Sequence, residues 1–185
     1  EAMKGYKEII SMGGAVHMGN VTPVAEFNFW GDPHAAKMVF DFPIPITMIG
    51  LNVTHQVVLS QNDLRLMREI GGEKGQLMDR IHDAYVGAYW KNIGVIGCVP
   101  HDSIAVAYAI DSSLIETITA TVDVSLEGIT IGQTVVDDRN VWGREPNAHV
   151  GMQIDGSRFK ERLFHTLFPE QKALYEAYVQ NMTGR

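Results

Sequence analysis

Residues 19–33 read Gly-Asn-Val-Thr-Pro-Val-Ala-Glu-Phe-Asn-Phe-Trp-Gly-Asp-Pro, and they fix the kind of unit this chain can build. Before them, the apolar run Glu8-Ile9-Ile10-Ser11-Met12 stops at Gly13-Gly14, which predicts a buried strand entering a loop. At their end, Asp32 caps and Pro33 opens a helix that runs to about Phe40. Strand, loop and helix in this order are the units of an open α/β sheet, and ligands bind such sheets beyond the carboxyl ends of their strands. The loop holds Asn20, Glu26 and Asn28. A carboxamide both donates and accepts, and an ionised carboxylate accepts strongly from hydroxyls. The set suits a polyhydroxylated ligand such as a sugar. Taken singly, each of the three also suits a turn or a solvated surface.

The rest of the chain continues the α/β order. Residues 44–53 are apolar and β-rich, interrupted by Pro45 and Gly50, and predict a second buried strand. Ser60 caps a helix to about Glu69 that Gly71-Gly72 ends. A long helix over 76–92 follows, with Leu77, Ile81, Tyr85, Ala88 and Tyr89 at helical spacing. An apolar connection over 94–100 leads to a helix from Asp102 to Ala109. Residues 116–125 and 130–136 predict an antiparallel hairpin, and 149–154 a further strand. Asp155 caps a helix with Phe159, Leu163 and Leu167 on one face. Pro169 opens the last helix, carrying Leu174, Tyr178 and Met182. The expected fold is a Rossmann-like, mostly parallel sheet flanked by helices, with a small antiparallel hairpin late in one domain spanning 1–185.

Composition narrows the function classes. With 185 residues and 45% hydrophobic content the chain can bury a substantial core. A formal net charge of −7 argues against nucleic acid or an anionic membrane as partner. The single cysteine, Cys98, forms no internal disulfide, so a reducing, cytoplasmic setting is expected. No apolar run reaches membrane-spanning length, and the first residues lack the apolar centre of a signal peptide.

Other residues are candidates for chemistry. His101 suits a proton donor near neutral pH, and Asp102 a hard oxygen ligand for Ca²⁺ or Mg²⁺. Their plain reading is a loop histidine and a helix cap. Tyr85 and Tyr89 lie one helical turn apart, with His82 on the same face, and read either as core or as groups facing an aromatic ligand. His55 reads as a satisfied polar residue and Asp137-Asp138 as a solvated turn. Cys98, among Val95, Ile96 and Val99, reads as a buried small hydrophobe.

Met12-Gly13-Gly14, Asn20, Ala25-Glu26-Phe27-Asn28, Asp32-Pro33, Gly50-Leu51-Asn52-Val53-Thr54-His55 and His101-Asp102 resemble, in order and spacing, the inosine-uridine preferring nucleoside hydrolases. The resemblance weakens after about Asp138. It implies an enzyme of nucleoside salvage that hydrolyses the N-glycosidic bond of ribonucleosides to ribose and free base. Asn20, Glu26 and Asn28 would then bind ribose hydroxyls, Met12 and Phe27 line the sugar pocket, and Tyr85 and Tyr89 lie on the base side. His101 would protonate the leaving base, and Asp102 would be a Ca²⁺ ligand. Dimers or tetramers are the family's common states.

One element of the family pattern has no counterpart here. The family's Asp-x-Asp-x-x-x-Asp-Asp cluster supplies most calcium ligands and the base that activates water. Asp137-Asp138 lacks the other two acids. The chain therefore resembles the C-terminal portion of such an enzyme. A nicked enzyme whose halves stay associated, a truncated gene product and a deliberately prepared piece all fit. The alternative function is a non-catalytic nucleoside- or ribose-binding fragment or subunit.

Overall fold

The computed structural model describes residues 5–183, and at 84, 88, 92, 93, 182 and 183 the backbone alone. The chain forms two compact units, Glu1–Gln56 with Ile104–Ile154, and Val57–Ser103 with Asp155–Arg185.

The first unit is built on a five-stranded sheet ordered β1-β2-β5-β3-β4. The strands are β1 (Ile9–Met12), β2 (Ile46–Ile49), β3 (Ile115–Val124), β4 (Thr134–Asp137) and β5 (Ala148–Ile154). β1 and β5 run parallel to β2, while β3 runs antiparallel to both β5 and β4. Four strands therefore share one direction and β3 opposes them, so the sheet is mostly parallel. Helices α1 (Phe27–Gly31), α2 (Pro33–Phe40) and α3 (Leu51–Thr54) belong to this unit, as does α6 (His101–Ile110) from Ile104 onward. Every residue of β2 is buried, as a parallel strand covered on both faces requires.

One expectation changes here. Residues 44–53 do not form one strand: β2 stops at Ile49 and α3 begins at Leu51. Gly50 is the turning point, and the Leu51 N–H donates to the Gly14 carbonyl at 3.0 Å. The β-branched Val53 and Thr54 suggest strand, but burial inside the first unit holds them in a helical turn. The late hairpin pairs Val124 with Thr134 and Thr121 with Asp137, as expected. It is no appendage, because β3 also pairs with β5 from Ile115 to Ala120.

The core of this unit gathers Phe29, Phe40, Ile46, Met48, Ala120, Val122, Val124, Ala148 and Val150. Phe29 and Phe40 meet edge to face with ring centres 5.9 Å apart. Phe29 belongs to α1, so the short helix following Glu26 is anchored directly in the core. Asp32 caps α2 by accepting from the Ala35 N–H at 2.9 Å.

The second unit is helical, with α4 (Gln61–Ile70), α5 (Gly72–Ile93), α7 (Gly156–Leu167) and α8 (Lys172–Thr183). Ser60 and Asp63 form a reciprocal capping box at the start of α4. Asp63 is buried, and Lys160 neutralises it at 2.8 Å. Leu59, Leu64, Leu66, Met67, Cys98, Phe164, Phe168 and Tyr175 form the core, with Phe164 stacked on Tyr175 at 4.5 Å.

Pro169–Gln171 is a separate 3₁₀ turn, so the last helix begins at Lys172. That start turns Tyr175 inward and leaves Leu174 exposed. Along α5, Leu77, Ile81 and Tyr85 are exposed, whereas Val86 and Tyr89 pack on the core. The side chains of Ala88 and Met182 lie outside the described residues. Among the described residues no helix is long and apolar enough to cross a membrane.

Phe164 is 1% exposed and its ring is held on both sides, by Phe168 and Tyr175. Phe164→Ala should cost about 3–5 kcal/mol, read as a drop in the urea midpoint at unchanged slope.

Candidate active site

Glu26 organises the loop between β1 and α1. It is 2% exposed. Its Oε1 accepts from the Asn28 N–H at 2.9 Å, and its Oε2 from the Phe29 N–H at 3.1 Å and the Gly14 N–H at 3.0 Å. The first two contacts cap α1. The third ties that helix start to the glycine turn leaving β1, twelve residues earlier in sequence.

The loop between these anchors winds around one carbonyl. The N–H groups of Asn20, Val21 and Thr22 lie 3.1, 3.3 and 3.4 Å from the Ala25 oxygen. Asn20 Oδ1 accepts from the Phe27 N–H at 2.9 Å, which leaves its amide group to donate elsewhere. Asn28 Nδ2 reaches Met12 Sδ at 3.7 Å. Phe27 is 61% exposed, and Asn20 and Asn28 are also exposed. Met12, Asn20, Glu26, Phe27 and Asn28 are thus brought together at the carboxyl end of β1, where an open α/β sheet binds ligands. The carboxylate faces the backbone and the carboxamides face outward.

The β3–β4 hairpin supports this loop, a contact that residue order barely signals. Gln133 bridges Ala25 in antiparallel fashion, and Thr134 Oγ1 accepts from the Ala15 N–H at 3.3 Å. Thr134 is 3% exposed. Gly14 has φ +72°, and a Cβ there would lie 2.6 Å from Thr134 Oγ1. Gly132 has φ +79°, and a Cβ there would lie 2.6 Å from the Cα of Trp30. Glycine is needed at both positions for conformation and for space. The only sequence signal was Gly132 itself, just ahead of the strand.

In the second unit, Tyr89 on α5 meets His101 at the start of α6. The phenol oxygen lies 2.8 Å from His101 Nε2, and the rings stack at 6.3 Å. Burial first, then Cys98, Tyr85 and Asp102, push the Tyr89 pKa up. The group therefore stays a phenol, able to donate to a neutral imidazole or accept from a protonated one. Asp102 is exposed in the first turn of α6, which begins one residue earlier than expected. Tyr85 is 56% exposed. His82 Nδ1 is spent on the Met78 carbonyl at 2.6 Å. Cys98 is 2% exposed, and burial pushes its thiol up to about 11, so it is no nucleophile. Burial lowers the pKa of His55. In the first unit, Asp137 accepts from the Val141 and Trp142 N–H groups and closes a turn.

Among the described residues no group of three or more His, Cys, Asp and Glu side chains could hold a metal ion. Asp102 alone falls well short of the six to eight oxygens that Ca²⁺ takes. The described residues do not make a calcium site by themselves.

A mostly parallel α/β sheet with a carboxylate-braced loop at the carboxyl end of β1 has the Rossmann-like architecture. The inosine-uridine preferring nucleoside hydrolase family matches residues 1–161, and the chain belongs to that family. It is 40% identical over 154 residues to the inosine-uridine preferring nucleoside hydrolase of Leishmania major, covering 83% of this chain and 49% of that protein. It is 37% identical over 154 residues to a pyrimidine-specific ribonucleoside hydrolase of Escherichia coli, with the same coverage of 83% and 49%. The structure resembles a purine-preferring ribonucleoside hydrolase from Gardnerella vaginalis with a TM-score of 0.81 and 32% identity, over 90% of this chain and 53% of that one. The chain spans about half the length of the curated relatives it matches.

Two predictions follow from this geometry. Glu26→Gln keeps one acceptor oxygen but turns an amide group toward N–H donors. It should cost about 1–3 kcal/mol by urea denaturation, because a buried donor loses its partner. Cys98 moves from 9.0 to about 11 and Tyr175 from 10.0 to about 12 on folding, both by burial. Raised pKa values give stability that is complete below the unfolded values and lost as pH rises through the folded ones. The urea midpoint should therefore hold up to about pH 9 and fall toward pH 12, and Cys98→Ala should remove the earlier part of that fall.

Proposed function

We propose that the protein carrying this chain hydrolyses the N-glycosidic bond of ribonucleosides, releasing ribose and a free base. The observation that carries the reading is the Glu26-braced loop, which presents Asn20 and Asn28 outward on a backbone fixed at both ends. Membership of the nucleoside hydrolase family supports it.

In this reading Asn20 and Asn28 recognise the ribose hydroxyls from the loop that the buried Glu26 braces, with Met12 and Phe27 lining the sugar side. Cleavage builds oxocarbenium character on the sugar, and the Glu26 carboxylate is a fixed negative group on that side. Negative charge grows on the departing base. His101 protonates it, and Tyr89 keeps the imidazole oriented through the 2.8 Å hydrogen bond. Tyr85 serves the base side. Relatives described as purine-preferring and as pyrimidine-specific both match, so the ribose and not the base defines the substrate class.

Calcium belongs to this reading only through Asp102, which would contribute one carboxylate. The described residues do not complete its site. That same shortfall favours a second reading for the chain by itself: ribose or nucleoside binding without cleavage.

Ribose release by the intact protein tests the first reading. His101→Ala should lower kcat on inosine by about 10²–10⁴-fold and spare a nitrophenyl riboside, whose leaving group needs no proton. Equal losses on both substrates would remove the acid role. Asn28→Ala should raise KM for every ribonucleoside. Binding of nucleoside without any ribose release would decide for the second reading.

A further inference from the structure

We propose that Thr134 is a positioning residue for the sugar loop, acting through the backbone of Gly14 and Ala15. This rests on the reading of Glu26 and its neighbours as the ribose side of the site. Neither the family motif nor any candidate drawn from the sequence includes Thr134, which lies more than a hundred residues beyond the loop it touches.

The Glu26 carboxylate holds three N–H donors, and the Gly14 N–H is the one contributed from outside α1. Gly14 itself is left-handed, φ +72°, and so turns the chain from that donor to the next peptide unit. The next N–H belongs to Ala15, which is buried. Its partner is Thr134 Oγ1, at 3.3 Å. The two bonds hold successive peptide units of one turn. The Glu26 bond fixes Gly14, and the Thr134 bond stops the turn from rotating about it.

Space enforces the same geometry. A Cβ on Gly14 would stand only 2.6 Å from the Thr134 hydroxyl oxygen, so turn and hydroxyl are fitted to each other. Thr134 is itself held in place. It pairs with Val124 as the first residue of β4, and Gln133 before it bridges Ala25. The hairpin end is closed by Ser125 N–H to the Gln133 carbonyl at 2.9 Å and Gly132 N–H to the Ser125 carbonyl at 2.8 Å. Three consecutive residues of the hairpin, Gly132, Gln133 and Thr134, therefore back the loop at Trp30, Ala25 and Ala15. A group that must sit within a fraction of an ångström to act in a transition state needs such support from residues that touch no ligand.

The test compares Thr134→Val, which keeps shape and loses the acceptor, with Thr134→Ser, which keeps the acceptor. In the intact protein Thr134→Val should lower kcat/KM for a ribonucleoside about tenfold, mostly in kcat, and Thr134→Ser should restore it. The Gly14 amide proton resonance should move upfield in the valine variant and stay in place in the serine variant. Should the valine variant not fold, Thr134→Ala carries the same comparison. Lower thermal stability with unchanged kcat/KM in the folded valine variant would overturn the inference. Glu26→Ala separates the two claims: if it abolishes turnover while Thr134→Val does not, only the role of Thr134 falls. If the intact protein releases no ribose at all, the functional reading falls. The Gly14 resonance then decides for Thr134, and an unmoved resonance in Thr134→Val overturns its role.

Discussion

One buried carboxylate gives the first unit its working end. Glu26 accepts from Gly14, Asn28 and Phe29, and so joins the turn that leaves β1 to the start of α1. Without it the buried N–H groups of Gly14 and Phe29 would lose their partner. Phe29, which it helps to place, enters the core beside Phe40 and Met48. The same bonds therefore serve stability and the presentation of Asn20 and Asn28.

The second unit follows a different logic. Its buried charge, Asp63, is met by a capping box and by Lys160, and aromatic stacking around Phe164 closes the core. On this frame the Tyr89–His101 pair joins one helix to the start of another. A phenol kept protonated by its surroundings is a suitable partner for an imidazole whose charge changes during a reaction, since it can reverse its role in the hydrogen bond.

Much of this was legible in residue order. Asp32-Pro33 and the Ser60 cap fall where they were expected, because capping chemistry is local and needs no partner far along the chain. The cluster at Asn20, Glu26 and Asn28 was legible for the same reason: the polar groups and their glycine and proline frame lie within a short stretch. The helical turn at Leu51 was not, since Val53 and Thr54 favour strand and only the tertiary burial of the first unit overrides them. Nor was the inward role of Glu26. Sequence shows a carboxylate between apolar residues, but not that Gly14 will turn back to meet it. The support from Thr134 was hidden most deeply, because sequence separation conceals a contact made by strand pairing.

The burial of Cys98 has a practical side. It is the chain's single cysteine, enclosed at 2% exposure among Leu59, Met67 and Phe164, with a thiol that stays protonated at neutral pH. A thiol of this kind reacts slowly with maleimides and with peroxide. Residues 1–185 thus offer a silent background for chemical labelling. Within them, a cysteine introduced at the exposed Ile129 would report on the hairpin tip without prior removal of Cys98.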